Sequence, residues 1–479
     1  MKTKIINTPD LLKAASRKKE VTNFCVAHSV HLDDLKKLVN GKKYYIRTYG
    51  CQANVRDEET MRAMLEDVGY SYSDDIENVD LIIINTCAVR ENAEDKVYGE
   101  IGNLKRLRRK NKNLILSICG CMVEQPEILK RVMDTFPEVN LLFGTHEIAQ
   151  LLDLIYECLT TGERIVSIES KQGEVVEFQN DCRNNHYKAY VNIIYGCNNF
   201  CSYCIVPFVR GRERSRKFED IVNEVKELAN LGYIEVTLLG QNVNSYGNDL
   251  DDSNATFPNL LRELDKIDGI KRIRFMTPHP KDLSSELIDT IANSKKICHH
   301  IHLPLQSGSS KVLADMNRHY SKEQYLDLVN DIRKKIPDVT ITTDIIVGFP
   351  GETEEDFLDT VDVVSRTQFD MAYTFIYSKR TGTKASTSPN QIPEDITKDR
   401  FGRLLDVQNI MSLKNNEKLL DKTLDVLVEG VSKTSSDRLT GRTDGNKVVN
   451  FDGDTSLIGQ IIPVKITKAQ TWSLEGEIQ

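Results

Sequence analysis

Three closely spaced cysteines form the motif with the clearest chemical meaning in this sequence. Cys197, Cys201 and Cys204 stand in the segment CNNFCSYC, a CxxxCxxC pattern that follows an apolar stretch predicted to be a β-strand. Three thiolates in one tight loop can hold three corners of a 4Fe–4S cube and leave the fourth iron open. Zinc is disfavoured because no fourth Cys or His lies at zinc-finger spacing. The spacing therefore predicts an iron–sulfur centre with an open coordination position.

Three further cysteines are far apart in the sequence but occupy equivalent positions. Cys51, Cys87 and Cys121 each follow a predicted parallel strand, in the segments YYIRTYG, LIIINT and LILSICG. The carboxyl ends of parallel strands share one edge of a sheet, so we expect the three thiols to converge. Helices that begin just after them would also lower the thiol pKa values. This arrangement predicts a second cluster, again held by three protein ligands.

One ligand of this second set has a competitor. Cys119 and Cys121 belong to the same CGC segment, and strand alternation makes Cys119 the last, buried residue of its strand. We assign Cys121 as the ligand and keep Cys119 as the alternative. The other cysteines have no partner at ligand spacing and are interpreted as ordinary core or surface thiols: Cys25, Cys158, Cys182 and Cys298.

Composition restricts the class of protein. The chain has 479 residues, 40% of them hydrophobic and 28% charged, with a formal net charge of −8. No apolar run approaches the roughly 20 residues of a membrane-spanning helix, and the N-terminus lacks the apolar core of a secretory signal. Since cytosolic thiols stay reduced, clustered cysteines there indicate metal ligands rather than disulfides. We expect a cytoplasmic protein without membrane association.

The alternation of strands and helices predicts an α/β fold with three domains. An N-terminal parallel α/β sheet domain is expected from strands at 44–48, 81–85 and 114–118. Six later strands with helices between them fit a partial or full (βα) barrel: 188–195, 234–239, 272–276, 299–303, 340–347 and 371–377. Short strands with Gly and Asp turns near the end predict a small all-β, OB-like barrel. The expected segments are an extension (1–41), the sheet domain (42–166), a linker (167–185), the (βα) barrel (186–412) and the β-barrel (413–479).

The motifs together resemble a known family, the methylthiotransferases of the radical S-adenosylmethionine superfamily. CxxxCxxC after the first barrel strand is the superfamily signature. The family resemblance rests on TYGCQAN (48–54), NTC (85–87), GCM (120–122) and CNNFCSYCIVPFVRGRERSR (197–216). Further matches are GQNVNSYG (240–247), HLPLQSGS (302–309), MNRHYS (316–321) and TDIIVGFPGETEEDF (343–357). The resemblance covers about residues 40–479 and implies a partial TIM barrel followed by a TRAM-type β-barrel.

The resemblance also implies the cofactors, which are two 4Fe–4S clusters and S-adenosylmethionine. The cluster of Cys197, Cys201 and Cys204 would bind S-adenosylmethionine at its open iron and cleave it to a 5′-deoxyadenosyl radical. The other cluster would hold or supply the sulfur, and no side chain is assigned as an acid or base. Contacts to S-adenosylmethionine are assigned to Tyr203, Gln241, Asn242, Gly348 and Glu352. The alternative for GFPGET (348–353) is a simple tight turn with Thr353 as a helix N-cap.

Within the family, GQNVNSYG is similar to the members that modify N6-isopentenyladenosine beside the anticodon, at position 37 of tRNA, by adding a methylthio group to carbon 2. The alternatives are N6-threonylcarbamoyladenosine, a ribosomal-protein aspartate and, more remotely, a non-catalytic iron–sulfur RNA-binding protein. The implied partners are the tRNA anticodon loop, an external electron donor and iron–sulfur supply proteins, and we expect a monomer. A basic strip is the candidate RNA contact: Arg210, Arg212, Arg214 and Arg216.

Overall fold

The computed structural model describes residues 2–10, 24–26, 29–88, 91–168, 175–177, 182–433 and 435–479. Its backbone forms two compact units. The first comprises Met1–Asn184, Ile194–Phe200 and Cys204–Arg216, and the second comprises Asn185–Ile193, Cys201–Tyr203 and Lys217–Gln479. The CxxxCxxC segment is therefore divided, because Cys201 belongs to the second unit and the other two cysteines to the first. In the described part of the chain, no helix has the length and apolar character that crossing a membrane requires.

The first unit is built on a parallel sheet. Its strands are β1 (Thr3–Asn7), β2 (Phe24–Val26), β3 (Lys43–Thr48), β4 (Ser71–Tyr72), β5 (Leu81–Thr86), β6 (Ile115–Gly120), β7 (Leu141–Phe143), β8 (Arg164–Ser167) and β9 (Val175–Glu177). Its helices are α1 (Leu32–Val39), α2 (Gln52–Asp67), α3 (Glu91–Lys110), α4 (Pro126–Thr135) and α5 (Leu151–Thr161). Seven strands pair in parallel in the order β1-β8-β7-β6-β5-β3-β4, while β2 pairs with β9. The predicted parallel sheet is confirmed.

Strand β5 shows why the apolar runs of this domain form central strands. Leu81 and Ile83 lie in one core layer, whereas Ile82 and Ile84 lie in the layer on the other face of the sheet. A strand that is covered on both faces needs an uninterrupted apolar run rather than alternation. The run LIIIN thus fixes β5 in the middle of the sheet, where its carboxyl end can deliver Cys87 to the sheet edge.

The N-terminal segment differs from the irregular or helical extension that the sequence predicts. Residues 3–7 form β1, which pairs in parallel with β8 so that Thr3 lies opposite Arg164. The signal is weak because β1 is an edge strand with no buried residue, so it lacks an apolar pattern. Parts of the predicted extension (residues 1, 11–23 and 27–28) and of the predicted linker (169–174 and 178–181) lie outside the described residues.

The central region contains the predicted (βα) barrel. Its strands are β10 (Lys188–Asn192), β11 (Ile194–Tyr195), β12 (Arg214–Ser215), β13 (Glu235–Leu239), β14 (Arg272–Phe275), β15 (His300–His302), β16 (Thr340–Val347) and β17 (Met371–Ile376). Its helices are α6 (Val206–Val209), α7 (Phe218–Asn230), α8 (Phe257–Asp265), α9 (Ser285–Asn293), α10 (Ser310–Asp315), α11 (Lys322–Lys335), α12 (Glu354–Thr367) and α13 (Glu394–Glu417). The parallel sheets β10-β13-β14 and β15-β16-β17 are joined by a bridge between Ile273 and Ile297, which gives a six-stranded partial barrel.

The first predicted barrel strand, 188–195, is divided in the structure. Strand β10 ends at Asn192, and the next two residues form β11, which pairs antiparallel with β12. Ile194 lies opposite Ser215 and Tyr195 opposite Arg214. The residues that lead into Cys197 are therefore fixed by the arginine-rich segment that follows the cysteine motif, a pairing that no local pattern reveals.

The C-terminal region is the predicted small barrel. Strands β18 (Thr423–Ser432), β19 (Ser435–Thr443), β20 (Val448–Asp452), β21 (Ile461–Ala469) and β22 (Leu474–Ile478) close into a five-stranded barrel in the order β18-β19-β20-β22-β21. Two arginines of β14 attach it to the (βα) barrel. Arg272 donates to the carbonyl oxygens of Arg442 and Asp425, and Arg274 donates to those of Asp444 and Thr443. The small barrel thus docks at the amino ends of the (βα) barrel strands.

Candidate active site

The structure brings Cys51, Cys87 and Cys121 together at one edge of the parallel sheet. Each residue lies just beyond the carboxyl end of a neighbouring strand, β3, β5 or β6. Cys87 and Cys121 are buried and Cys51 is partly exposed. The Cys51 and Cys87 side chains are hydrogen-bonded, and the charge of Cys51 acts on Cys121. The three thiols therefore form one site.

A small hydrogen-bond network joins the three cysteine segments. The carbonyl oxygen of Thr86 accepts from the backbone N–H of Cys121 at 3.0 Å and from Asn54 Nδ2 at 2.8 Å. The Thr86 hydroxyl in turn donates to the carbonyl oxygen of Cys119 at 2.5 Å. Asn85 Nδ2 donates to the carbonyl oxygen of Asn54 at 2.9 Å. Because these groups are buried, their bonds fix the relative positions of the thiols.

Cys119 lies apart from this network of thiols. It is the penultimate residue of β6 and packs in the core layer with Met61, whose sulfur lies 4.0 Å from its own. Burial raises the pKa of the Cys119 thiol well above its usual value. Cys119 packs inside the sheet core, whereas Cys121 packs with Ala88 and accepts from Arg210, so the geometry favours Cys121 over Cys119.

The thiols differ in their ionisation. The hydrogen bond from Cys87 lowers the pKa of Cys51 to about 5, against the opposing effect of burial. Cys51 also occupies the N-cap of α2, where the helix dipole favours a thiolate. Burial raises the pKa of Cys121 to about 11, although the Arg210 charge opposes this shift. Of these two thiols, Cys51 is therefore the one that ionises more readily.

The buried side chain of Arg210 forms hydrogen bonds within this site. Its Nη2 donates to Asp57 Oδ2 at 2.7 Å and to Asn54 Oδ1 at 3.3 Å, while its Nε donates to Cys121 Sγ at 3.2 Å. The residues just before it pack here too, because Ile205, Phe208 and Val209 form an apolar cluster with Ala88 and Cys121. The segment after the CxxxCxxC motif therefore encloses the three-thiol site.

This donor set fits an iron–sulfur cluster. Three thiols, two of them buried, meet at a sheet edge, and an apolar cluster together with a buried guanidinium encloses them. Cys–thiolate ligation in a water-poor, hydrogen-bonded shell is the environment that such clusters require. Cys51, Cys87 and Cys121 are the residues that would hold it.

The CxxxCxxC cysteines have separate supports. In the first unit, Cys197 is buried, its N–H donates to the Gly211 carbonyl oxygen, and its Sγ accepts from Asn199 Nδ2 at 3.4 Å. Cys204 in the same unit is partly exposed. In the second unit, Cys201 Sγ accepts from Arg318 Nη1 at 3.4 Å. Two of the three sulfurs thus each accept an N–H hydrogen bond, which suits ligands of an iron–sulfur cluster.

In the second unit, Tyr203 belongs to an apolar cluster at the carboxyl ends of the barrel strands. Tyr203, Ile346 and Tyr377 pack around the buried Phe349 and Met316. Phe349 is part of GFPGET, so this loop contacts the cysteine segment directly. The cluster forms an apolar wall beside Cys201, which suits an adenine ring.

The GFPGET loop is held from within the protein. Gly348 has φ +73°, and a Cβ there would lie 2.2 Å from Thr397 Cγ2. Both carboxylate oxygens of Glu352 accept from the Gly348 N–H at 3.2 Å, and Oε1 also accepts from Arg400 at 2.8 Å. Thr353 caps α12 through the N–H of Asp356. The tight turn with its N-cap is therefore present, and Glu352 shapes the loop through Arg400.

Two buried polar atoms at the carboxyl ends of β13 and β14 have no hydrogen-bond partner among the described residues. Asn242 Nδ2 donates to Asp282, but its Oδ1 is unpaired; the side chain of Gln241 is half-buried. His279 Nδ1 accepts from the Lys281 N–H, and its Nε2 is unpaired. Burial, aided by the Arg318 charge, lowers the pKa of His279 to about 2, so the ring is neutral. Unpaired buried atoms in a loop site are ready to bind a polar ligand.

Positive φ angles also occur at non-glycine residues in the segments that follow β14 and β15. Thr277, Gln306, Asn317 and His319 all have φ between +57° and +67°. Thr277 is β-branched, for which a positive φ is costly. Such strain persists where the surrounding structure imposes it, as in binding sites. From the sequence, Gln306, Asn317, Arg318 and His319 stand out only as parts of matching segments, and no role is assigned to Thr277 or His279.

The four strip arginines do not share one environment. Arg210, Arg214 and Arg216 are each less than a tenth exposed, and Arg214 donates to the carbonyl oxygen of Arg210. Arg212 is half-buried, with its guanidinium 4.3 Å from the centre of the Phe200 ring. Arg212 is the member of the strip whose exposure suits an RNA contact.

The approach of β6 to β5 gives a direct test of the three-thiol site. Gly120 has φ +94°, and a Cβ there would lie 2.3 Å from the Thr86 carbonyl oxygen. We expect Gly120→Ala to displace Cys121 and roughly halve the iron bound after anaerobic reconstitution. Gly102→Ala, where a Cβ meets nothing within 4 Å, is the control. Full iron content in Gly120→Ala would contradict this account.

Comparison with known proteins identifies the family. Residues 191–364 match the Radical SAM superfamily, residues 43–144 the uncharacterized protein family UPF0004, and residues 418–478 the TRAM domain. A solved radical S-adenosylmethionine methyltransferase, TsrM from Kitasatospora setae, shares the fold with a TM-score of 0.53 and 14% identity over 72% of this chain and 74% of that one.

The curated relatives are much closer in sequence. The tRNA-2-methylthio-N(6)-dimethylallyladenosine synthase of Acetivibrio thermocellus is 51% identical over 92% of this chain and 92% of its own length. Those of Thermoanaerobacter pseudethanolicus and Alkaliphilus oremlandii are each 52% identical, over 91% and 93% of this chain and 92% and 95% of their own lengths. The chain belongs to the family of tRNA-2-methylthio-N(6)-dimethylallyladenosine synthases.

Proposed function

We propose that this protein inserts a methylthio group at carbon 2 of N6-isopentenyladenosine in tRNA. The observation that carries the proposal is the convergence of Cys51, Cys87 and Cys121 at the sheet edge, in a chain that also carries CxxxCxxC. One set of three cysteines would suit many radical enzymes. Two such sets, each leaving one iron of its cluster without a protein ligand, suit a reaction that both makes a radical and delivers sulfur.

The chemistry assigns different work to the two sets of cysteines. When bound, the cluster of Cys197, Cys201 and Cys204 supplies electrons for cleavage of S-adenosylmethionine, and the auxiliary cluster of Cys51, Cys87 and Cys121 supplies the sulfur. The protein's own part is to hold the ligands, exclude water and bind the substrates. Neutral His279 and the amide of Asn242 offer hydrogen bonds without adding a charge.

S-adenosylmethionine would lie against the apolar wall of the second unit. Tyr203 and Phe349 provide flat surfaces for the adenine ring. We retain Gln241, Asn242 and the backbone of Gly348 as its polar contacts. Glu352 acts on the cofactor only through the loop that it closes with Arg400.

The target nucleoside would bind on the inner face of β17. Tyr373 and Phe375 are 48% and 45% exposed, whereas Ala372, which lies on the other face of the strand, is buried. They pair in register with Asp344 and Ile346, and Ile346 packs with Tyr203. The aromatic face is therefore continuous with the cofactor wall. In the described chain β17 pairs with β16 alone, so the other edge of this strand is unpaired.

An unpaired base suits the aromatic face formed by Tyr373 and Phe375. A base in an anticodon loop can be turned out and stacked on aromatic rings at modest cost. The prenyl group adds five carbons, whose burial is worth at most about 4 kcal/mol at roughly 0.8 kcal/mol each. The rings of Tyr373 and Phe375 offer the apolar surface for it, while His302 and Asp344 next to Tyr373 offer polar contacts.

The other expected associations follow from this reaction. We propose an external electron donor and iron–sulfur supply proteins as partners, because the clusters must be reduced and rebuilt. The cytoplasm, where tRNA is modified and thiols stay reduced, is the compartment that we assign. The chain is proposed to act as a monomer.

The direct test is an anaerobic assay with the reconstituted protein, S-adenosylmethionine, a reductant and anticodon stem-loops. We expect 5′-deoxyadenosine and the 2-methylthio product from the N6-isopentenyladenosine substrate, detected by nucleoside mass spectrometry. Product only from N6-threonylcarbamoyladenosine RNA, or only on a ribosomal-protein aspartate, would favour those alternatives. Absence of 5′-deoxyadenosine would indicate a non-catalytic protein. Cys201→Ala is the inactive control.

Phe375→Ala tests the assignment of the prenyl contact. Loss of the ring should weaken discrimination between prenylated and unprenylated stem-loops about tenfold, because about 1.4 kcal/mol of apolar contact with the prenyl group is lost. The measurement is the ratio of kcat/KM values for the two RNAs. Leu358→Ala, another exposed apolar residue, is the matched control. An unchanged ratio in Phe375→Ala would remove β17 from the prenyl site.

Arg212→Gln tests the RNA contact of the strip. Removing one phosphate contact should weaken stem-loop binding and reduce the slope of log K against log salt by about 0.7. Fluorescence anisotropy at several salt concentrations measures both. Arg262→Gln, which removes an exposed arginine paired with Glu286, serves as the control. Equal affinity of variant and parent protein at every salt concentration would exclude Arg212.

A further inference from the structure

Arg210 has a hydrogen-bonding arrangement that neither an RNA contact nor a simple ion pair explains. Its side chain is 8% exposed and that of its partner Asp57 is 9% exposed. One edge of the guanidinium serves Asp57 and Asn54, and the Nε–H donates to Cys121 Sγ. Reaching a phosphate in solvent would require breaking all three contacts, and an ion pair alone would not need the sulfur.

The anchors of Arg210 belong to the helix that also begins with a ligand. Cys51 is the N-cap of α2, and Asn54 and Asp57 stand three residues apart on one face of its first two turns. The start of this helix thus carries Cys51 and also holds Arg210 against Cys121. The position of the guanidinium relative to two ligands is thus set by a single rigid element.

We propose that Arg210 is a positioning residue of the auxiliary cluster, acting through Cys121 to raise the reduction potential of that cluster. The inference rests on the auxiliary cluster of the proposed function. Reduction adds negative charge, part of which resides on the ligand sulfurs. An N–H···S bond and a fixed positive charge stabilise that state, and hydrogen bonds to sulfur are known to tune such potentials.

The arrangement also links this potential to the other cysteine motif. Arg210 follows Cys204 by six residues, and α6 between them packs on Ala88 and Cys121. The segment that carries Cys204 therefore also delivers the guanidinium to the auxiliary site. A displacement of the segment that carries Cys204 would therefore move Arg210 and change the surroundings of Cys121.

The test isolates the auxiliary cluster in a Cys197→Ala/Cys201→Ala/Cys204→Ala background and compares the parent with Arg210→Met/Asp57→Asn. The double substitution removes both buried charges together, so neither is left unpaired. The midpoint potential is measured by redox titration followed by electron paramagnetic resonance. We expect it to fall by about 59 mV or more, a tenfold change in a one-electron equilibrium.

A matched control comes from the second unit. Arg274 and Glu235 form another buried pair, with 3.0 Å between Nε and Oε2, so Arg274→Met/Glu235→Gln repeats the change away from these ligands. A shift in the Arg210 variant no larger than in this control would overturn the proposal. Should the double variant retain little iron, Arg210→Lys gives the result, since lysine cannot serve Asp57 and Cys121 with one planar fork. Its potential should also fall, and an unchanged value would overturn the inference.

Failure of the proposed function has a different signature. If the triple-alanine background binds no cluster at all, the auxiliary site itself is absent and both proposals fall. If it binds a cluster whose potential ignores Arg210, only the positioning role is lost.

Discussion

The carbonyl oxygen of Thr86 is the point on which the three-thiol site depends. A buried carbonyl has two lone pairs, and here both are used, by the N–H of Cys121 and by Asn54 Nδ2. One atom at the end of β5 thus fixes the segments that follow β3 and β6. The requirement for a glycine before Cys121 has the same origin, because a Cβ at Gly120 would collide with that oxygen. This one oxygen therefore keeps the three thiols close together.

The cysteine positions could be predicted from the sequence because parallel strands bring their carboxyl ends to one edge. Buried apolar runs were enough to find β5 and β6, and the alternation of buried Tyr44 and Ile46 with more exposed residues indicated β3. Exposed β1 and the three-residue β7 carry too little pattern to be recognised. Asn54 and Asp57 did leave a signal, since their three-residue spacing places them on one face of the helix that follows Cys51, but such spacing is common in helices and identifies no partner.

The arginine strip shows what sequence cannot decide. Arginines at alternate positions after a cysteine motif resemble an exposed basic surface, yet Arg210, Arg214 and Arg216 are buried. Whether a charge faces water depends on carboxylates, carbonyls and thiols distant in sequence, such as Asp57, 153 residues away from Arg210. The same holds for Arg318 and Cys201, which are separated by 117 residues. A local pattern specifies the charge but not its partner.

In the second unit, the contacts that hold the small β-barrel and the residues assigned to the chemistry lie at opposite ends of the barrel strands. The amino ends hold the small β-barrel through Arg272 and Arg274, while Tyr203, His279 and GFPGET lie at the carboxyl ends. Strand β16 has eight residues, so the two ends are about 20 to 25 Å apart at roughly 3.3 Å per residue. A single nucleoside cannot span that distance, whereas a folded RNA can. If the β-barrel contributes to recognition, it must therefore contact a part of the tRNA remote from the modified base, which suits a nearly neutral domain with nine basic and ten acidic residues from Leu413 onward.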